Sequence, residues 1–356
     1  MGTDMPPSSA YHGTPTPALE LEEFDLSTLG TIKDQAVLAK LVRANKISQV
    51  DYRKAIAALC RKDEPPPRLE DIQILYSATT PPVISPAEVL ERLQRPIRTA
   101  DAIQSFRVDK ISDTVIVKYG RVLHAELETM LFVKQHTRIP VPTVHLLFVL
   151  GEDTYLVMEY IPGGDLQHLW PSLQEAERQL VLSQLQQYLH DLHAITPPST
   201  IPGPIGGGVC RGCWFSEFGA GPFKSHQELV EWWNSKLPPA DDPCGNPSDT
   251  GERLQADHPL VFTHGDIAPR NLILRDGVVW VLDWEQAGWY PAYLEYAFIA
   301  SETGSWEDPT PKDWKDAMLS LIPHYKREHE ILIRAYPRIA RGFDPILLGA
   351  RAQKTS

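Results

Sequence analysis

The spacing of hydrophobic and polar positions changes along the chain. In Thr114–Tyr119 (TVIVKY), Val115 and Val117 alternate with Ile116 and Lys118, the period of a strand with one buried face. Leu123 to Gln135 then reads as a helix, and Ile139-Pro-Val-Pro142 as a rigid connection. His145 to Leu150 and Thr154 to Tyr160 are β-prone runs, the second leading into Ile-Pro-Gly-Gly. Helical spacing returns at Leu173 to Ile195 and Ser225 to Lys236, with a Pro- and Gly-rich connection, 196–222, between them. Three short apolar strands follow at Val261-Phe262-Thr263, Leu272-Ile273-Leu274 and Val278 to Leu282, and the last is apolar enough to predict burial on both faces. Upstream, Val37-Leu38-Leu41-Val42 and Tyr52-Ala55-Ile56-Leu59 carry helical spacing, while residues 1–22 have little to bury and read as a disordered tail. The pattern predicts an α+β chain with four parts: the tail 1–22, a helical extension 23–98, a small β-rich lobe 99–160 and a larger helical lobe 161–350.

The densest chemistry lies in the run VFTHGDIAPRNLIL–RDG–VVWVLDWEQAGW, from Val261 to Trp289. Asp276-Gly277 supplies a hairpin turn. That hairpin brings Asn271 and Asp283 to the same end, close to Asp266. Magnesium takes hard oxygen ligands and keeps several waters, so a carboxylate, an amide and phosphates suffice to hold it. Phosphoryl transfer needs an Asp that orients the attacking hydroxyl, an Asn and an Asp for metal, and a Lys for the phosphates. Asp266 fits the first role, and Asn271 and Asp283 the second. His264 is expected to pack and hydrogen-bond, and Arg270 to touch phosphate or a neighbouring carboxylate.

The remaining parts lie upstream. Lys118 ends its strand as the lysine of a kinase strand does. The following helix contains Glu126 and Glu128, and either can pair with Lys118. Leu131 and Phe132 stand at helical spacing behind Glu128, which makes Glu128 the preferred partner. The run ending at Glu159 to Ile161 reads as an interlobe hinge whose backbone meets an adenine edge.

The stretches VIVKYG, HAELETMLFVKQHTRIPVP, YLVMEYIPGGDL, FTHGDIAPRNLIL and VLDWEQAGWYPAYLEY occur in that order, and together they resemble the aminoglycoside phosphotransferase and choline kinase group, its fungal branch most of all. The resemblance implies a bilobal protein-kinase-like fold and the use of ATP, or GTP, with magnesium. It assigns Asp266 to catalysis, Lys118 to the phosphates, Glu128 to the ion pair with Lys118, and Asn271 and Asp283 to metal. Asp283-Trp-Glu285 is similar to the Asp-aromatic-Glu of choline kinases, which adds Glu285 to the metal set. The chain departs from protein kinases at Gly265 and Ala268, and lacks an Ala-Pro-Glu downstream. It also lacks a glycine-rich loop before Lys118. Ser112-Asp113 is the only turn signal there, which makes Ser112 a candidate nucleotide contact. The alternatives are a catalytically silent nucleotide-binding scaffold of the same fold and a protein kinase.

A chain of 356 residues accommodates two lobes, and its formal net charge of -12 argues against nucleic acid as the main partner. Nothing reads as a signal peptide or membrane-spanning segment, so a cytoplasmic protein is expected. Four cysteines are too few for a disulfide scaffold; Cys210-Arg-Gly-Cys213 has metal spacing without a full ligand set, and free thiols are expected. Gly206 to Gly208 is read as loop. The resemblance implies a small-molecule acceptor as partner. Trp214, Glu217, Glu228, Trp232, Trp289 and Tyr290 are candidates for an aromatic, acidic pocket that suits a cation.

Overall fold

In the computed structural model the described residues are 68–81, 83–93, 106–120, 123–215, 219–238, 251–302, 304 and 309–340. The chain divides into units Met1–Pro66 and Pro67–Ser356, and the architecture below is that of the second. The expected tail and the helical patterns near Val37 and Tyr52 lie outside the described residues.

The alternating segments form one antiparallel sheet. Its strands are β1 (Gln73–Ser77), β2 (Phe106–Lys110), β3 (Val115–Gly120), β4 (Val144–Leu150) and β5 (Asp153–Glu159), in the order β1-β4-β5-β3-β2. β1 lies inside the stretch expected to be a helical extension; it pairs with β4, with Ile74 opposite Phe148, so the small lobe begins well before residue 99. Ile74 and Leu75 stay exposed on this edge strand. Their pairing partner lies some seventy residues away, which local spacing does not reveal.

Helix α1 (Pro86–Leu93) and helix α2 (His124–His136) complete the small lobe. Val115 and Val117 of β3 pack with Val157, Phe148 and Val89 of α1. Leu147 and Leu156 join Leu127, Met130 and Val133 of α2, and Leu123 just before it, in a second cluster. Full burial of one such aliphatic side chain contributes about 1.5–3 kcal/mol, so these two layers fix the sheet between its helices.

The second cluster continues without a break into the larger lobe. There it takes in Leu166 of α3 (Leu166–Leu169), the Val181, Leu182, Leu185 and Leu189 stripe of α4 (Glu175–Ala194), and Phe262, Leu272, Val279, Val281 and Trp284. Of these last residues, all but Trp284 belong to two small sheets. One pairs β7 (Leu260–Thr263) with β10 (Gly288–Pro291); the other runs β6 (Gly164–Asp165), β8 (Leu272–Arg275), β9 (Val278–Val281). Val278 is exposed and Trp280 half-buried, so β9 has one buried face rather than the two its apolar run suggested.

Helices α5 (His226–Ser235), α6 (Tyr293–Ser301), α7 (Trp314–Leu319) and α8 (Lys326–Ala340) fill the rest of the lobe. α6 is buried on every side and presents Tyr293, Leu294, Ala297 and Phe298 to a third cluster with α5 and α8. Among the described residues, no helix is long and apolar enough to cross a membrane.

Candidate active site

The β8–β9 hairpin sets the site. Asp276 and Gly277 both have positive φ (50° and 77°), the two-residue turn that matches strand twist. Its register puts Leu272 opposite Val281, and the Leu282 N–H donates to the Asn271 carbonyl at 2.9 Å. Asn271 and Asp283 therefore emerge side by side at the open end. Asp283 has φ 61°, a left-handed conformation that an aspartate tolerates better than most residues. The next residue, Trp284, is fully buried and donates its indole N–H to the Val281 carbonyl at 3.0 Å, which anchors that turn.

β7 delivers the other loop. His264 is fully buried; its Nε2 lies 3.1 Å from the Leu282 carbonyl, and its Nδ1 lies 3.1 Å from the Asp266 N–H. Only the neutral tautomer with the proton on Nε2 satisfies both, since Nδ1 must accept. Burial holds the ring neutral and pushes its pKa down to about 4. His264 thus ties the backbone of Asp266 to the residue before Asp283. The Asn271 amide nitrogen donates to the Asp266 carbonyl at 3.0 Å and to its Oδ2 at 2.9 Å, so the oxygen is the atom Asn271 offers a cation.

The small lobe contributes Lys118. Its ammonium is 2.8 Å from Glu126 Oε2, 2.8 Å from Asp283 Oδ1 and 3.4 Å from Glu285 Oε2. Burial alone would depress this ammonium, but the three carboxylates more than offset it and hold the pKa above its ordinary range. Burial pushes the Glu126 carboxyl up to about 7, against the pull of Lys118.

The glutamate is Glu126, not Glu128. Glu126 is 1% exposed and sits within the buried stripe of Leu123, Leu127, Met130 and Val133. Glu128 is exposed and faces the backbone of Gly206, and Leu131, which favoured it on spacing, is itself exposed. A glutamate inside an apolar stripe needs a buried cation, which was the available signal.

A residue that sequence reasoning missed is Glu295, the one acidic residue of the otherwise apolar α6. Its carboxylate accepts from the N–H groups of His264 (2.8 Å) and Gly265 (3.4 Å), and burial pushes it up to about 7. It holds the loop from below, where Gly265 takes φ 81°.

At the hinge, the Glu159 N–H donates to the Thr143 carbonyl and the Tyr160 N–H to that of Thr114, both at 2.8 Å. Two of the three hinge donors are thus committed, Glu159 among them. The Glu159 carboxylate accepts from the Thr143 N–H at 3.1 Å. Ser112 lies in the β2–β3 turn, where its hydroxyl accepts from the Thr114 N–H at 3.3 Å.

Of the residues named for an aromatic acceptor pocket, three are packed inside the lobe. Trp214, Trp289 and Tyr290 are almost fully buried and are core, because rings of this size contribute most when packed. Trp232 packs on Phe215 and Phe223 with the Lys236 ammonium 4.9 Å from its ring. Glu228 accepts from the Lys224 N–H at the start of α5. Glu217 lies outside the described residues. Cys210 and Cys213 are free thiols, one buried and one exposed.

The oxygen-rich corner suits a hard cation: Glu126, Asp283 and Glu285 offer carboxylate oxygens within 4.8 Å of one another. With Lys118 these groups sum to -2, a charge that a divalent cation neutralises.

The family model described as "Phosphotransferase enzyme family" matches residues 110–330. No curated protein matches the chain. Among solved structures, the chain is similar to the ADP-bound aminoglycoside phosphotransferase APH(2'')-Ib at 15% identity, covering 76% of this chain and 96% of that one with a TM-score of 0.43. It is similar to the GDP complex of aminoglycoside 2'-phosphotransferase-IIIa at 11% identity (75% and 92% covered, TM-score 0.47). It is also similar to aminoglycoside-3'-phosphotransferase of type VIII at 18% identity (66% and 94% covered, TM-score 0.42).

Proposed function

The chain belongs to the phosphotransferase enzyme family, and from that premise we propose that it is an ATP- and magnesium-dependent kinase moving the γ-phosphate to a hydroxyl of a small molecule. The observation that carries this reading is the convergence of Lys118, Glu126, Asp283 and Glu285 with Asn271 and Asp266 at one hairpin end. A structural ion pair would not gather three carboxylates on one buried lysine, since burying excess charge is costly unless a further cation completes it.

The roles follow from position. Lys118, held by Glu126, binds phosphate oxygens. Asn271, Asp283 and Glu285 would hold magnesium, which when bound neutralises charge on the phosphates. Ile161 has the hinge N–H left to donate to a base edge, because the Glu159 and Tyr160 donors are committed, and the backbone carbonyls from Glu159 to Ile161 would accept from it; the choice between ATP and GTP rests on these contacts. Asp266 orients the acceptor hydroxyl. The hydroxyl oxygen bonds to the γ-phosphorus, the bond from that phosphorus to the bridging oxygen breaks, the proton passes to Asp266, and the nucleoside diphosphate leaves.

The test is nucleotide consumption by the purified chain with magnesium and ATP or GTP. The acceptor panel comprises aminoglycosides, amino alcohols and sugars, with Asp266→Asn as control. Acceptor-dependent turnover lost in the variant supports the reading. Failure of magnesium-ATP and magnesium-GTP to raise the melting temperature overturns it.

A further inference from the structure

Arg270 stands four residues after Asp266, in the middle of the turn Pro269–Asn271. Its Nη2 donates to both oxygens of the Asp266 carboxylate, at 2.7 Å to Oδ1 and 3.0 Å to Oδ2. Its Nη1 donates to Glu302 Oε1 at 2.8 Å. That same oxygen accepts from the Gly304 N–H at 2.7 Å and the Thr310 hydroxyl at 2.8 Å. Glu302 directly follows α6, so the guanidinium is spanned between the loop that carries Asp266 and a separately built anchor.

As a device for stability this arrangement is weak. The Arg270 side chain is 44% exposed, and half-exposed ion pairs contribute little. As chemistry it has a consequence. A carboxylate has about four lone-pair sites. At Asp266, Oδ2 accepts from Asn271 and Arg270, while Oδ1 accepts from Arg270 alone. A hydroxyl that donates to the remaining site on Oδ1 therefore lies beside Nη2. The same positive group then neighbours the attacking oxygen and the phosphoryl group it joins, where a charge-assisted donor has most effect as negative charge spreads over the equatorial oxygens.

We propose that Arg270 is a catalytic residue of this chain, holding the acceptor oxygen and the phosphoryl group in transfer, with Glu302 as its positioning residue. The inference rests on the phosphotransferase reading. It predicts transition-state stabilisation by Arg270 without a part in binding the ground-state nucleotide.

The test uses two probes that need no knowledge of the acceptor. One is magnesium-ATP hydrolysis, with water as acceptor. The other is magnesium-ADP titrated with and without aluminium fluoride, which imitates the phosphoryl group in flight. Arg270→Ala is expected to lower hydrolysis at saturating magnesium-ATP by about 100-fold or more, the range for one donor to a developing oxyanion. Magnesium-ADP affinity should stay within about twofold, while the tightening by aluminium fluoride is lost. Arg270→Lys should recover part of the rate, added guanidinium should partly rescue Arg270→Ala, and Glu302→Gln should lower the rate with magnesium-ADP affinity unchanged. Arg270→Ala with wild-type aluminium fluoride binding overturns the inference. So does a rate loss matched by an equal loss of magnesium-ADP binding. A wild-type protein that binds no nucleotide overturns the phosphotransferase reading and this inference with it. A wild-type protein that binds magnesium-ADP without hydrolysing ATP leaves the decision to the aluminium fluoride arm.

Discussion

Replacing Glu126 by Gln separates the pairing in the structure from the one that helical spacing favours. The substitution keeps an acceptor and removes a charge 2.8 Å from Lys118, where both side chains are buried (7% and 1% exposed). Breaking a buried pair outright costs about 3–5 kcal/mol, whereas a neutral hydrogen bond contributes about 1 kcal/mol. Asp283 at 2.8 Å and Glu285 at 3.4 Å still compensate the ammonium, so the loss should lie between these limits, about 2 kcal/mol. For a unit as long as Pro67–Ser356 that is a fall of about 3 °C in melting temperature. The freed ammonium should settle on Asp283 and Glu285, and magnesium-ADP binding should then need more magnesium. Calorimetric melting and titration of magnesium-ADP at several magnesium concentrations read both effects. Glu128→Gln, at an exposed position, should change stability by no more than about 0.5 kcal/mol and leave the magnesium dependence alone. If Glu128→Gln matches or exceeds Glu126→Gln in either assay, the assignment of the lysine's partner is wrong.

Asp283→Asn should weaken magnesium-dependent nucleotide binding, whereas Asp266→Asn should spare binding and abolish turnover; equal binding losses in a titration would count against separate roles. His264 is held neutral with its pKa near 4, below its ordinary 6.5. Between those values the unfolded chain takes up a proton that the folded chain refuses, so stability falls as pH drops from 6.5 to 4, by about 3 kcal/mol in total. Urea unfolding at several pH values should show that slope reduced in His264→Gln. Glu295, raised to about 7, has the opposite slope between pH 4.5 and 7 in both proteins, so their difference isolates the histidine. Gly265→Ala places a Cβ 3.0 Å from the Gln286 carbonyl at φ 81°, and should cost about 1–2 kcal/mol of stability by thermal melting and lower activity.

Much of the candidate site's geometry was legible because it is local. Asp276-Gly277 specifies a two-residue turn, and period-2 pairing then carries Asn271 and Asp283 to one end whatever the rest of the chain does. The strand ending at Lys118 and the helices at 124–136, 175–194 and 226–235 followed the spacing to within one or two residues. What spacing leaves open is how an element is rotated against its neighbours and which distant segment covers it. Glu126 and Glu128 are two residues apart, about 160° to 200° around a helix, and only docking of α2 on β4 chose the inward one. The same dependence turned Trp214, Trp289 and Tyr290 into core. It placed Glu295 beneath the loop that carries Asp266 and brought Glu302 to Arg270 across thirty-two residues of chain. The sequence by itself determined the lysine, amide and carboxylates that the proposed phosphoryl transfer would use, and the hairpin that brings Asn271 and Asp283 to one end. Tertiary packing decided which carboxylates face those groups, because burial and ion pairing depend on contacts between segments that no local pattern encodes.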